Sequence, residues 1–165
     1  MDTIARSREA AHRRFQASNL VMAGVALAHA LATWPLRATA ALFLGGALLA
    51  FALEFVGVRA GLLRHRLSPQ VASVPVSVVA AWPATVYLFY RLALLVAMGV
   101  RAAALAAVLA TAVNVAVDPR MVERGAWSYP ESPVSRPRYR GVPWWNFLAW
   151  LVVVFVTALF PTLAS

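Results

Sequence analysis

Long apolar runs separated by short basic stretches organise this chain. Runs rich in Ala, Val, Leu and Phe lie near residues 19–36, 38–62, 72–97, 102–118 and 144–163. Each is about as long as a helix must be to cross a hydrocarbon layer of ~30 Å. None shows the alternating ~10-residue segments of a membrane barrel. The pattern predicts an all-α polytopic transmembrane helical bundle of about five spans. It forms a single domain over 19–165, preceded by a basic cytoplasmic segment over 1–18. The third run is the least regular, because Pro83 and Arg91 lie inside it. Proline is tolerated in a membrane helix when neighbours satisfy the freed carbonyl, and an arginine can snorkel to the interface. No internal repeat stands out.

The polar punctuation orients the bundle. Arg6, Arg8, Arg13 and Arg14 precede the first span, and Arg59, Arg64 and Arg66 mark the second–third connection. Arg120, Arg124, Arg136, Arg138 and Arg140 mark the fourth–fifth connection. Five spans put all twelve on one side and leave only Arg37 and Arg101 opposite, with Arg91 near that boundary. By the positive-inside bias, the N-terminus is expected in the cytoplasm of a multi-pass cell-membrane protein. The basic start and Ala28-His29-Ala30 also resemble a signal peptide, and Arg13-Arg14-Phe15 a twin-arginine signal. Four further spans make an uncleaved anchor the expected reading.

Composition agrees. Of 165 residues, 62% are hydrophobic and 13% charged, against about 45–50% and about 25% in a soluble domain. The mean hydropathy is +0.72. The net charge is +9, and every basic residue is Arg. Because the arginines flank apolar segments, the lipid bilayer is the expected partner and nucleic acid is not. There is no cysteine, hence no disulfide or thiolate chemistry.

Polar residues able to do chemistry are few. Glu54 is the only acid well inside an apolar run. An ionised carboxylate there costs a few kcal/mol, so it must pair or stay protonated. Asn114 and Asp118 are four apart on one helix face. Pro119 suggests that the helix ends there, with Asp118 near the unfavourable negative end of its dipole. The fifth span opens with Trp144, Trp145 and Asn146 and adds Trp150. All of these converge on the cytoplasmic half. Gly57 and Gly61 share the Glu54 face and admit a close neighbour or ligand. Glu123 and Glu131 read as loop acids paired with arginines, His29 as a packing residue, and His12 and His65 as exposed. No metal-ligand spacing, phosphate loop or serine-nucleophile motif occurs, so no metal site is indicated.

Three blocks taken together resemble the carotenoid biosynthesis membrane family, which includes carotenoid 1,2-hydratases and bisanhydrobacterioruberin hydratase. They are Glu54-x-x-Gly57-Val58-x-x-Gly61; Asp118-Pro119 followed by Gly125-x-Trp127; and Tyr139-x-Gly141-Val142-Pro143-x-x-Asn146-Phe147-x-x-Trp150. The resemblance runs from about Phe51 to Phe160. It implies addition of water to the terminal C=C of an acyclic carotenoid or other polyisoprenoid, with no cofactor. Asp118 or Glu54 would supply the proton, and Asn114 and Asn146 would orient water or the acid. Trp127, Tyr139, Trp144, Trp145 and Trp150 would line the polyene end. Other carotenoid enzymes are possible partners. Asn114 stands where hydratase-type members carry a second Asp. That leaves open an alternative, a non-catalytic carotenoid-binding or assembly protein of the same family. A small transporter would need polar groups through the outer half, which offers little beyond His29, Arg91 and tyrosines.

Overall fold

A computed structural model describes residues 3–164, with side chains from Arg6 onward. Five helices in it are long and apolar enough to cross a membrane. Helix α1 is Thr3–Thr33. A rod follows, built of α2 (Leu36–Ala40), a π turn (Ala41–Gly45) and α3 (Gly46–Arg59). Then come α4 (Val76–Ala93), α5 (Gly99–Glu123) and α6 (Trp144–Leu163). The basic stretch after Thr3 belongs to α1. It is rich in Ala and Arg, which favour helix, and Glu9 and Arg13 pair at 2.6 Å one turn apart.

The central contacts run between α5 and α6, α1 and α4, α4 and α5, and α3 and α4. Small residues let them approach. Ala102, Ala103, Ala106 and Ala110 are buried along α5. A β-carbon at Gly46 would lie 2.9 Å from Thr157 and 3.2 Å from Pro83, and one at Gly45 3.0 Å from Phe160. Close approach therefore falls at Gly45 and Gly46. Gly57 has only Leu63 nearby, at 3.9 Å, and Gly61 faces open space. Gly61 serves the backbone instead.

α3 and α5 end in the same way. Leu62 N–H bonds the Gly57 carbonyl and Gly61 N–H that of Val58, while Ala126 bonds Met121 and Gly125 bonds Val122. Both glycines take φ +71°, the left-handed conformation this helix stop requires. The next residues form β1 (Arg64–His65) and β4 (Trp127–Ser128), paired antiparallel with Arg64 opposite Ser128 and His65 opposite Trp127. Each chain then makes a two-residue hairpin that feeds the next helix. The first is β2 (Gln70–Val71) with β3 (Val74–Pro75), the second β5 (Arg138–Tyr139) with β6 (Val142–Pro143).

These matching parts are an internal repeat, contrary to the sequence expectation. Helix, glycine stop, strand, hairpin and helix occur over α3–α4 and again over α5–α6. The hairpins share the pattern Pro-x-x-x-x-Val-Pro, at Pro69–Pro75 and Pro137–Pro143. Glu54 precedes Gly61 by the same seven residues that separate Asp118 from Gly125. Trp82 and Trp150 each follow the hairpin's final Pro by seven. Arg64 pairs with its own equivalent, Ser128, as two copies related by a two-fold axis must. α1 packs on α4 and breaks the symmetry.

The arginine-rich regions do share one end. β1 pairs with β4 between the two connections, and His12 Nε2 lies 3.0 Å from the Arg124 carbonyl. Phe15 packs against Trp127, with ring centroids 5.9 Å apart.

Candidate active site

The two equivalent carboxylates meet at the polar end of one cavity of about 800 Å³. α3 supplies Glu54, and α5 supplies Asn114 and Asp118. Pro119 does not stop α5, which continues to Glu123, so Asp118 is held inside the bundle at 2% exposure. The freed carbonyl one turn earlier is the tolerated cost of a membrane proline.

Asp118 accepts three hydrogen bonds. Trp127 Nε1 donates to Oδ1 at 2.5 Å, and Tyr129 Oη and Asn146 Nδ2 donate to Oδ2 at 2.9 and 2.5 Å. Asn146 Nδ2 also lies 3.5 Å from Asn114 Oδ1. These donors come from two further elements, the α5–α6 connection and the first turn of α6. Burial, with Asp118 alongside, pushes the Tyr129 phenol well above its ordinary value, so it remains a donor.

Glu54 is held differently. Its Oε2 is 2.8 Å from His65 Nε2, and Trp82 Nε1 donates to Oε1 at 3.4 Å. The expected exposure of His65 is corrected here: its side chain is 3% exposed, because β1 folds back against β4. His65 Nδ1 is buried and meets no hydrogen-bond partner among the described residues. Arg59, an alternative partner for Glu54, lies instead over the Phe55 ring.

The stacked rings of Trp82 and Trp150 border the site. Away from the carboxylates the lining turns mostly apolar, through Val78, Leu88, Phe89 and Leu92 of α4 and Leu95 just beyond it, with Thr85 and Arg91 as the polar members of that wall. From Val78 to Leu92 is about 21 Å of helix. Leu88, Leu92 and Leu95 are also exposed on the outside of the bundle, so the cavity reaches its lipid-facing flank.

The geometry brings together Glu54, Asn114, Asp118, Trp127, Asn146 and Trp150. Trp145 stands behind them, edge-on to Tyr129 at 5.8 Å, with its Nε1 buried and unpartnered among the described residues. Trp144 and Tyr139 are about half exposed and, like Gly57 and Gly61, do not line the cavity. Tyr139 packs against Phe147, and Trp144 has the setting of an interfacial aromatic. Sequence reading missed Trp82, Tyr129 and His65. The repeat is the signal that points to Trp82, by aligning it with Trp150, whereas His65 and Tyr129 align only with each other. Glu123 and Glu131 pair with Arg140 and Arg136 at 2.6 and 3.7 Å, as expected for loop acids.

A family model described as carotenoid biosynthesis protein matches residues 15–165. The chain belongs to this family. The match takes in both halves of the repeat and every residue of the cavity. Comparison with curated proteins and with solved structures gives no significant match. This member of the carotenoid biosynthesis proteins is a multi-pass membrane protein with a role in carotenoid biosynthesis. Among the described residues no cluster of acids and histidines has the makings of a metal site.

Proposed function

We propose that this protein is a hydratase that adds water to the terminal C=C of an acyclic carotenoid or similar polyisoprenoid. The observation that carries the reading is the cavity itself. Buried Asp118 and partly buried Glu54 stand at one end of a mostly apolar groove that opens to lipid. A polyene lying along α4 brings its terminal double bond to Asp118.

An unactivated alkene needs a strong, correctly placed acid. The three donors stabilise the carboxylate left as the proton departs. About four acceptor sites exist on a carboxylate, and the one left free is on Oδ1, where the proton resides. Asp118 gives that proton to the terminal CH carbon, and the π pair forms the new C–H bond. The cation develops on the dimethyl carbon, where the faces of Trp82 and Trp150 can stabilise it. Water closes the C–O bond and releases a proton, giving a tertiary alcohol. Electrons balance without an oxidant or reductant, so no cofactor is needed. Asn114 and Asn146 position the acid.

The twelve arginines at one end support a cytoplasmic location for that end, and with it for the reacting site. Other carotenoid enzymes would deliver the pigment through the bilayer.

The decisive experiment expresses the chain in a host that makes an acyclic carotenoid and measures pigment mass. Gain of one water per reacted end supports hydration. Unaltered pigment that copurifies with inserted protein supports the alternative, pigment binding without chemistry, which Asn114 in place of a second acid favours.

A further inference from the structure

The duplicated halves of the site are chemically unlike each other. At the second-half position, Asp118 is surrounded by groups that donate to it, from Trp127, Tyr129 and Asn146. At the equivalent first-half position, Glu54 faces His65, which stands where the second half has Tyr129. A phenol can hold a carboxylate but takes no proton from water at neutral pH. An imidazole can do both, because it has two nitrogens.

We infer that His65 is the general base that activates water, with Glu54 as its positioning residue. This rests on the hydration reading. Glu54 Oε2 at 2.8 Å accepts the Nε2–H of His65 and so fixes the tautomer with a lone pair on Nδ1. That Nδ1 is buried and has no hydrogen-bond partner among the described residues, and His65 is one of the residues that line the cavity. A buried nitrogen left without a partner is costly, and a held water satisfies it. The same carboxylate–imidazole–nucleophile logic operates in catalytic triads on unrelated folds.

The proton account closes. Asp118 loses a proton to carbon, and the attacking water loses one to His65 Nδ1. Proton return from His65 to Asp118 through cavity water restores both groups. The repeat explains the arrangement: two copies of one carboxylate position became acid and base as their partners diverged, with His65 in place of Tyr129 and Leu63 and Val78 in place of Trp127 and Asn146.

The test uses full-length protein in membranes with an acyclic carotenoid, following both bound pigment and hydrated product. His65→Ala is expected to lower hydration by about 10²–10⁴-fold with pigment retained, and added imidazole to restore a measurable part of it. His65→Gln, which keeps polarity but not basicity, is expected to be equally slow. Wild-type rates in either variant, loss of pigment together with activity, or no imidazole rescue would overturn the role. If the unaltered protein binds pigment and never hydrates it, the hydration reading itself fails, and this inference falls with it.

Discussion

Trp82 and Trp150 stack with ring centroids 4.1 Å apart and planes 17° from parallel. They occupy equivalent places in the two halves of the repeat, each on the helix that follows a hairpin. Such a pair is worth about 0.5–1.5 kcal/mol beyond the area it buries. A double-mutant cycle of Trp82→Leu and Trp150→Leu, read by denaturation in detergent, should show coupling of that size. Additive effects would mean that the stack only fills space.

Asp118→Asn removes the acidic proton and keeps the side-chain volume. The protein should insert and bind pigment, and product should fall by 10²-fold or more. Product at the unaltered level would remove Asp118 from the chemistry.

Tyr129 should not ionise in the range where an exposed tyrosine does, near pH 10. Its folded value lies above the unfolded one, so its contribution to stability is complete below about pH 10 and is lost as pH rises through the folded value. The near-ultraviolet phenolate signals of the unaltered protein and Tyr129→Phe should therefore coincide at pH 10–10.5. A difference of one phenolate would contradict the buried hydrogen bond to Asp118.

The two hairpins predict a stabilising change. Ala72 and Ser73 take φ +49° and +68°, where the second hairpin has Arg140 and Gly141. Left-handed backbone costs an ordinary residue about 1–2 kcal/mol, and Asn-Gly suits this turn. Replacing Ala72-Ser73 by Asn-Gly should raise the unfolding midpoint, with a gain of about 1 kcal/mol. An unchanged midpoint would mean that the turn relaxes without cost.

Topology can be read directly, because the chain has no cysteine. A cysteine at Val134, in the α5–α6 connection, should react only with reagent supplied to the cytoplasmic face. One at Met98, between α4 and α5, should react only from outside. The reverse pattern would invert the orientation.

Much of the fold was legible in the sequence because lipid imposes a simple rule. Every span must be long and apolar, and the arginines must gather on one side. The repeat was not legible. Equivalent helix positions need only similar volume, so Gly46 matches Ala110 and Ala50 matches Asn114. Four extra residues in the second connection also shift the register between the glycine stop and the hairpin. The candidate site was half visible. Glu54 declares itself as an acid inside an apolar run and Asp118 as one at the end of another, whereas His65 sits in a basic loop that looks solvated.

By itself the sequence determined a five-span helical protein of the carotenoid biosynthesis family, with its polar groups near the arginine-rich end. Only the tertiary structure decided which of those groups face one another. β1 pairs with β4 and turns His65 inward onto Glu54. α5 runs on through Pro119, which keeps Asp118 buried, while Tyr139 and Trp144 are left at the surface. Hydropathy acts on each span separately and is blind to partners. Hydrogen bonds between buried polar groups depend on which loop folds over which helix end, and no single segment encodes that.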